Sequence, residues 1–174
     1  MNNIKGRAFM LNENVDTDQI LPGYAMSYPV EELKKVTLRG SIIPDFPEKV
    51  QPGDIIIADD NFGCGSSREQ APVALKSSGV SIVIAKSFAR IFRRNAINIG
   101  LPVVTCEYIK EIKNEAKEND EFQVDLVNNT ITNLRTKNQY ELNRLSQTTF
   151  DTLQAGGLIN KVRNILQERG AING

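Results

Sequence analysis

Residues 54 to 106 read DIIIADDNFGCGSSREQAPVALKSSGVSIVIAKSFARIFRRNAINIGLPVVTC, and three short apolar runs in this stretch decide the fold. The runs cover residues 55–58, 80–85 and 101–106, and they are rich in isoleucine and valine. A short, largely apolar and β-branched run is typical of a strand that is covered on both faces. The sequence therefore predicts three neighbouring buried strands.

The two segments between these runs have helical patterns. Residues 66–78 place small and apolar side chains on one side and end at Gly79. Residues 88–98 form the second predicted helix, which is closed by Gly100. Strands that alternate with helices at these spacings predict a βαβαβ unit with parallel strands and right-handed crossovers. The expected fold class is α/β, with this parallel unit as its core.

The segments on either side predict additional elements. Pro44, Pro47 and Pro52 forbid a long helix or a central strand over residues 43–52, which must run over the surface or line a cleft. The other predicted elements are a strand over 4–11, a short helix over 31–36, a helix over 109–118, a hairpin of strands 121–126 and 130–134 joined at Asn128 and Asn129, and an amphipathic helix from near Leu158.

The composition of the chain excludes several functional classes. Its 174 residues suit one domain with a proper core, and we expect residues 1–174 to form it. With 21 basic and 21 acidic residues, the chain has no net charge that would attract nucleic acid or an anionic membrane. It has neither a cationic N-terminal segment followed by an apolar one nor a run of about 18 apolar residues. We therefore expect a cytoplasmic protein that binds neither nucleic acid nor a membrane.

The chain contains no histidine and only two cysteines, Cys64 and Cys106. Neither a zinc cage nor a Ser-His-Asp triad can be built from such a chain alone, so we expect no metal site in it. Cys106 ends an apolar strand and is expected in the core. Cys64 is expected to be a small buried residue, although a nearby helix N-terminus would lower the pKa of its thiol.

The turn after the first buried strand contains GCGSSR, residues 63–68. Its two glycines permit a sharp turn and the close approach of a ligand, and its two serines add hydroxyl groups. If Ser66 opens the following helix, unpaired N–H groups point out of the carboxyl end of the sheet, where anions bind in open α/β folds. Together with the planar guanidinium of Arg68, these groups predict a cradle for a carboxylate or a phosphate.

The same turn also has a purely structural interpretation. Serine is a common N-cap residue, and Glu69 follows Ser66 by three positions, as in a capping box. Nucleotide binding is disfavoured, because GCGSSRE matches neither the dinucleotide glycine fingerprint nor a P-loop.

Two other groups of polar residues have open interpretations. Asp16 and Asp18 either shape a turn through Asx hydrogen bonds or hold the histidine of a partner in one tautomer. Arg90, Arg93 and Arg94, on the second predicted helix, form either a solvated face or a partner surface.

Three longer motifs give the chain a family resemblance. DTDQILPG at 16–23, NFGCGSSREQAP at 61–72 and AKSFARIFRRNAINIGLP at 85–102 occur in one order. In this combination the chain resembles the small subunits of the 3-isopropylmalate dehydratase and homoaconitase family, which are related to the swivelling domain of aconitase. The resemblance runs from about residue 5 to residue 104. It implies an aconitase-like swivelling domain with layered β/β/α architecture, in which further strands surround the parallel βαβαβ core.

The resemblance implies a hydro-lyase that is active only with a second subunit. Family members dehydrate and rehydrate a hydroxy dicarboxylic acid, moving its hydroxyl to the adjacent carbon; the expected reaction interconverts 2- and 3-isopropylmalate in leucine biosynthesis. Their [4Fe-4S] cluster and active-site histidines belong to a separate large subunit. The resemblance therefore implies a heterodimer or heterotetramer, with no cofactor in this chain, and it gives a reason for the missing histidines.

The resemblance also implies roles for individual residues. Ser66 matches the base that takes a proton from the carbon next to a carboxylate, and a helix N-terminus beside Arg68 would stabilise its alkoxide. Ser67 and Arg68 match residues that bind the substrate carboxylate, and Gly65 is expected beside them. Asp18 matches the aspartate of a Thr-Asp-x-Ile motif that pairs with a histidine of the large subunit.

Substrate choice in the family is associated with the loop after the first motif, here GYAMSY at residues 23–28. This loop lacks the arginine with which homoaconitase-like members hold an additional carboxylate. An isopropyl group would instead lie against Tyr24, Ala25 or Met26. The loop favours 3-isopropylmalate, with 2,3-dimethylmalate, citramalate and homocitrate as alternatives because GYAMSY departs from the usual Tyr-Leu-containing forms.

A function of another class also fits the cradle, namely a non-catalytic module that binds a carboxylate or regulates another protein. A neighbouring gene for a cysteine-bearing cluster subunit would favour the enzyme, and its absence would favour the module.

Overall fold

Seven strands and eight helices make up the part of the chain that the computed structural model describes, residues 3–170. The strands are β1 (Asn3–Met10), β2 (Ile55–Ala58), β3 (Ile82–Ala85), β4 (Val103–Thr105), β5 (Glu121–Asp125), β6 (Thr130–Asn133) and β7 (Gln139–Glu141). The helices are α1 (Thr17–Ile20), α2 (Val30–Leu33), α3 (Phe46–Lys49), α4 (Gln70–Ser77), α5 (Arg90–Asn98), α6 (Ile109–Glu115), α7 (Gln147–Gln154) and α8 (Leu158–Glu168), and a 3₁₀ turn covers Gly23–Ala25.

One mixed sheet joins all the strands in the order β4-β3-β2-β1-β5-β6-β7. Strands β1 to β4 are parallel to one another, and β5, β6 and β7 continue the sheet with antiparallel pairs. The predicted βαβαβ unit is therefore confirmed, with α4 and α5 as its crossovers. The α/β fold class is confirmed as well.

Strand β1 connects the two halves of this sheet. Its residues 8–10 pair in parallel with β2, whereas its residues 3–7 pair antiparallel with β5. One strand thus changes partner along its length, and the sheet curls around it.

Strands β2 and β3 of the parallel unit are apolar and buried throughout, since both of their faces are covered. Ile56 and Val83 face one core, which they share with side chains of α4, α5 and α7. Ile55 and Ile84 face a second core, which contains residues of α6, β5 and β6. Alternate residues of one strand therefore enter different cores, as the pleat requires.

Several predicted elements differ in their extent from those observed. The hairpin of β5 and β6 and the helix from Leu158 are confirmed. The helix predicted over 31–36 is only the single turn α2, and a buried Phe46 anchors the short α3 within the proline-rich segment. Strand β7 and helix α7 are not among the elements predicted from the sequence.

Two further observations concern the chain as a whole. No helix within residues 3–170 is long and apolar enough to cross a membrane. The ends of the expected domain, residues 1–2 and 171–174, lie outside the described residues.

Candidate active site

The GCGSSR turn and the start of α1 lie side by side at the carboxyl end of β2. The N–H of Gly63 donates to the carbonyl of Val15 at 2.7 Å, and the N–H of Thr17 donates to the carbonyl of Cys64 at 2.9 Å. Asp16 and Cys64 form an isolated parallel bridge. Two motifs that are almost 50 residues apart in the sequence are thereby held together by backbone hydrogen bonds.

Both glycines of the turn adopt positive φ, which residues with a side chain rarely do. Gly63 has a φ of 84°, and a Cβ atom there would lie 2.2 Å from the Cγ of Phe92. Gly65 has a φ of 95°, and its added Cβ would lie 3.5 Å from the hydroxyl of Thr17. Gly63 lets the turn pack against α5, and Gly65 brings it close to α1.

Asp16 has the turn-shaping role that was one of its expected interpretations. Its carboxylate accepts a hydrogen bond from the N–H of Gln19 at 2.8 Å and so caps α1. This cap fixes the orientation of the two residues that follow, Thr17 and Asp18.

Thr17 holds the hydroxyl of Ser66. The two hydroxyl oxygens are 3.1 Å apart, and Thr17 is buried whereas Ser66 is exposed. Thr17 lies in the DTDQILPG motif, but the motif alone predicts no role for it. In the sequence, the only sign of a role is that Thr17 carries a hydroxyl directly before Asp18. The contact of this hydroxyl with Ser66 becomes visible only in the folded chain.

Arg68 and Asp18 form an ion pair across the same contact. The Arg68 guanidinium also donates to the carbonyl of Leu21 at 2.9 Å, and it is mostly covered. The Asp18 side chain is 68% exposed and therefore remains accessible to a further partner. The structure thus brings together Asp18, Ser66 and Arg68, all expected at the site.

The expected helix N-terminus at Ser66 is wrong. Helix α4 begins at Gln70, Glu69 is its N-cap residue, and no side chain caps it, so the predicted capping box does not form. The chain stays irregular up to this point because backbone hydrogen bonds to Val15 and Thr17 hold the turn against the start of α1. An N-terminus four residues away acts weakly on Ser66, since the dipole effect falls off within the first turn.

Free backbone N–H groups take the place of the expected helix terminus. Within residues 3–170, the N–H groups of Gly65, Ser66 and Ser67 have no acceptor. Consecutive free N–H groups form a concave site for an anion. The cradle stays a prediction, and its backbone donors would be these three N–H groups rather than a helix terminus.

The loop of residues 23–28, which is expected to contact the substrate and is called the substrate loop below, begins beside the guanidinium of Arg68. A Cβ atom on Gly23 would lie 3.6 Å from Nη2 of Arg68. Tyr24 is 64% exposed, Met26 is exposed too, and the Tyr24 ring meets that of Tyr28 edge-on at 6.1 Å. The side chains of Tyr24 and Met26 are therefore free to contact a ligand.

Ala25 does not share this exposure, which corrects its expected role. Its side chain is fully buried and packs with Leu21, Leu33 and Ala74 of α4 beneath the loop. It supports the loop from below and has no surface to offer an isopropyl group.

The two cysteines are thiols of different burial. Cys106 is buried, as expected, but Cys64 is only half-buried. Burial raises the pKa of the Cys64 thiol, and the carboxylate of Asp16 raises it further. The surroundings of Cys64 therefore do not favour its thiolate form. Among residues 3–170, no three side chains of histidine, cysteine, aspartate or glutamate are grouped to hold a metal ion.

Comparison with protein families gives one match. The model of the aconitase C-terminal domain matches residues 22–109, which include the substrate loop, the GCGSSR turn and α5.

Curated relatives extend this similarity over nearly the whole chain. The chain is 48% identical to the isopropylmalate/citramalate isomerase small subunit of Methanocaldococcus jannaschii, covering 95% of this chain and 96% of that one. It is 49% identical to the 3-isopropylmalate dehydratase small subunit of Aquifex aeolicus, with 89% and 91% covered. The homoaconitase small subunit of Methanothermobacter thermautotrophicus is 47% identical, with 90% and 89% covered.

A solved structure has the same fold. The crystal structure of a 3-isopropylmalate dehydratase from Methanocaldococcus jannaschii superposes with a TM-score of 0.87 at 40% identity, covering 97% of this chain and 99% of that one. The fold described above is therefore that of a small subunit of this kind.

Proposed function

Because the chain belongs to the aconitase C-terminal domain family, we propose that it is the small subunit of a 3-isopropylmalate dehydratase. As such it is a hydro-lyase subunit that serves leucine biosynthesis and works only with an iron–sulfur large subunit. The contact of Thr17 and Asp18 with Ser66 and Arg68 carries the proposal, because it places a hydroxyl, a carboxylate and a guanidinium around one anion cradle. Residues 1–174 act as one swivelling domain.

Ser66 is the base of the proposed reaction. Its alkoxide removes a proton from the carbon next to a substrate carboxylate and becomes a hydroxyl again, and the released electron pair forms the double bond. The hydroxyl on the adjacent carbon leaves as water, with a proton that an acidic group of the large subunit would supply. Water then adds to the double bond with its hydroxyl on the carbon that lost the proton, which completes the isomerisation. The Thr17 hydroxyl and the free N–H groups of the turn stabilise the alkoxide, since donors aimed at a developing charge are worth most in a closed site.

Arg68 changes partner in this proposal. In the structure its guanidinium pairs with Asp18, and a substrate carboxylate binds the same planar set of donors. Ser67 and the N–H of Gly65 complete the carboxylate site. The displaced and exposed Asp18 then turns to a histidine of the large subunit, which it holds in one tautomer.

The iron–sulfur cluster of the family does not fit this chain. Such a cluster needs several cysteine ligands, and this chain has two cysteines, one of them buried in the core. We place the cluster in the large subunit. The open position of Ser66 is consistent with a site that is closed by a partner.

The substrate is 3-isopropylmalate or a similarly branched malate. Tyr24 and Met26 offer exposed apolar surface in the loop that starts at Gly23, beside Arg68, and residues 23–28 contain no cation for a third carboxylate. An unpaired charge in a closed site is costly, which disfavours homocitrate.

Reconstitution with the large subunit from the same genome tests the proposal. Isopropylmalate, citramalate, 2,3-dimethylmalate and homocitrate are supplied in parallel. We expect turnover of isopropylmalate by the complex, none by either subunit alone, and loss of turnover without loss of assembly for Ser66→Ala. A preference for homocitrate would contradict the substrate assignment. Full activity of Ser66→Ala would contradict the role of the serine and favour the non-catalytic module.

A further inference from the structure

A cationic groove lies on the surface between α5, α7 and α8. It has a volume of ≈ 720 Å³. Its walls carry Arg90, Arg93, Arg94 and Lys161, and no aspartate or glutamate lines it. In a chain whose charges balance, this is a local excess of four positive charges.

The three arginines of the groove are unpaired within residues 3–170. None of their guanidinium groups makes an ion pair or a hydrogen bond, and all three residues are exposed. By contrast, Arg7 and Arg135 are each bound to a carboxylate of the chain. Free guanidinium groups on one helix are suited to carboxylates of another molecule.

An uncovered apolar stripe borders the groove. Helix α8 has no buried residue, although it carries an apolar face. Ile159 is 75% exposed, and Leu158, Val162 and Ile165 beside it are exposed too. Exposed Ile91 of α5 adds to this surface. A contiguous apolar face rimmed by polar residues is typical of a protein interface.

Close backbone packing fixes the start of α8 against the end of α5. A Cβ atom on Gly157 would lie 2.6 Å from the carbonyl oxygen of Asn98, and one on Gly100 would lie 2.6 Å from that of Gly156. This contact leaves no room for a side chain at Gly100 or Gly157, and it fixes the position of the first residue of α8 relative to α5. The groove is therefore a fixed feature of the fold.

One wall of the groove is bonded to the chain directly before the GCGSSR turn. Phe88 lines the groove, and it forms a bridge with Phe62, the residue before the GCGSSR turn. The N–H of Ala89 also donates to the carbonyl of Phe62 at 3.0 Å. A molecule that covers Ser66 is thus close to the entrance of the groove.

We infer that the groove and the α8 stripe are the docking surface for an acidic, amphipathic segment of the large subunit. Its carboxylates would bind the three arginines, and its apolar side chains would cover Ile91 and the stripe. The inference rests on the proposed function for the identity of the partner. The charge of the groove gives the chemistry of the segment, and its continuity with the turn that carries Ser66 relates docking to closure of the site.

Charge reversal tests the inference without relying on catalysis. The variant R90E/R93E/R94E is compared with K110E/K137E, whose exposed lysines lie on α6 and in the β6–β7 turn. Binding to the purified large subunit is measured by calorimetry, and thermal melting verifies that each variant is folded. We expect the triple variant to raise the Kd about 30-fold or more, and the control to change it little. Added salt should weaken the wild-type complex more than the triple-variant complex.

A second pair of variants tests the apolar part. Ile159→Asp should weaken binding, whereas Val127→Asp, on an exposed apolar residue of the β5–β6 turn, should not. Equal affinity of wild type and R90E/R93E/R94E would overturn the inference, and so would self-association of the small subunit that uses this face while the large subunit binds elsewhere. A complex that docks as expected but does not convert isopropylmalate would contradict the proposed function and leave the docking surface standing.

Discussion

The hydroxyl of Thr17 lies 3.1 Å from the hydroxyl of Ser66 and is itself buried. The backbone of Thr17 is bound to Cys64, so this hydroxyl has little freedom to move. An exposed serine is thereby held by a fixed neighbour, which distinguishes it from the adjacent Ser67.

Replacing Thr17 by valine removes this neighbour while keeping the shape of the side chain. We expect kcat to fall about tenfold or more, because a donor to the developing alkoxide is lost. The pH dependence of kcat/KM should shift to higher pH, and Thr17→Ser should restore both. Thr37→Val is the control, because Thr37 is also buried and donates to a carbonyl, that of Leu33, at 2.7 Å. It should lower stability and leave kcat unchanged; an equal loss of kcat in both variants would reject the special role of Thr17.

Arg68→Lys should raise KM more than it lowers kcat. A lysine cannot reproduce the planar set of donors that serves Asp18, Leu21 and the substrate carboxylate. Arg135→Lys is the matched variant, since Arg135 binds the buried Asp120 at the far side of the sheet. Steady-state kinetics of the assembled enzyme should show the KM effect for Arg68 alone. Unchanged KM in Arg68→Lys would remove the residue from substrate binding.

Gly63→Ala should destabilise the protein more than Gly65→Ala. Both substitutions place a side chain at positive φ, but only the first also brings its Cβ to 2.2 Å from the ring of Phe92. We expect a loss of about 1–3 kcal/mol for Gly63→Ala from this overpacking, measured by urea unfolding. The second substitution Phe92→Ala should recover part of the loss in a double-mutant cycle. Additive losses would show that the ring contact is not the cause.

Asp120 should contribute to stability at neutral pH but not in acid. Its hydrogen bonds with Arg135, together with those from Lys117 and Asn133, hold the pKa of this carboxyl well below its usual range. A carboxyl whose pKa is lower in the folded state stabilises that state above its unfolded pKa of about 3.9, and this contribution is lost as the pH falls towards the folded value. Asp120→Asn should therefore cost about 1–3 kcal/mol at pH 7, and the difference from wild type should shrink below about pH 4. A difference that stays constant with pH would contradict this account.

Cys64→Ala should leave the assembled enzyme active. The thiol is half-buried and its pKa is raised, so it is not an activated nucleophile. Within residues 3–170 it also belongs to no group of side chains that could hold a metal ion. We expect kcat within about threefold of wild type and unchanged iron content of the complex, since a small residue of similar size fills the position. Loss of iron from the complex would show that the cysteine has a role in the cluster.

The parallel half of the fold follows from local sequence, whereas the site depends on tertiary contacts. The runs at 55–58 and 82–85 are apolar on both faces, which leaves little alternative to buried parallel strands. The start of α4 was misplaced because serine and glutamate at capping positions indicate a helix, while bonding of the turn to α1 keeps the chain irregular. That bonding connects residues almost 50 positions apart and has no local signal.

Short and polar elements were missed for a related reason. Strand β7 has only three residues, and none of them is fully buried, so no apolar alternation marks it. Ala25 was expected to contact the substrate because it belongs to the uncharged loop that the family associates with substrate choice. The tight 3₁₀ turn instead buries Ala25 and leaves Tyr24 and Met26 exposed. The family resemblance identifies the loop of residues 23–28, and only the structure shows which of its side chains are exposed and which are buried.

The position of β1 has a consequence for the order in which the protein is made. Among the strands that the structure describes, the first in the sequence is the middle strand of the sheet, and its two partners begin about 50 and 120 residues later. The apolar side chains of β1 and both of its hydrogen-bonding edges stay unpaired until β2 and then β5 have been synthesised. Pairings of such long sequence separation form slowly, and an unpaired strand is prone to associate with other chains in the meantime. The nascent small subunit is thus most exposed to aggregation before residue 125 has been synthesised.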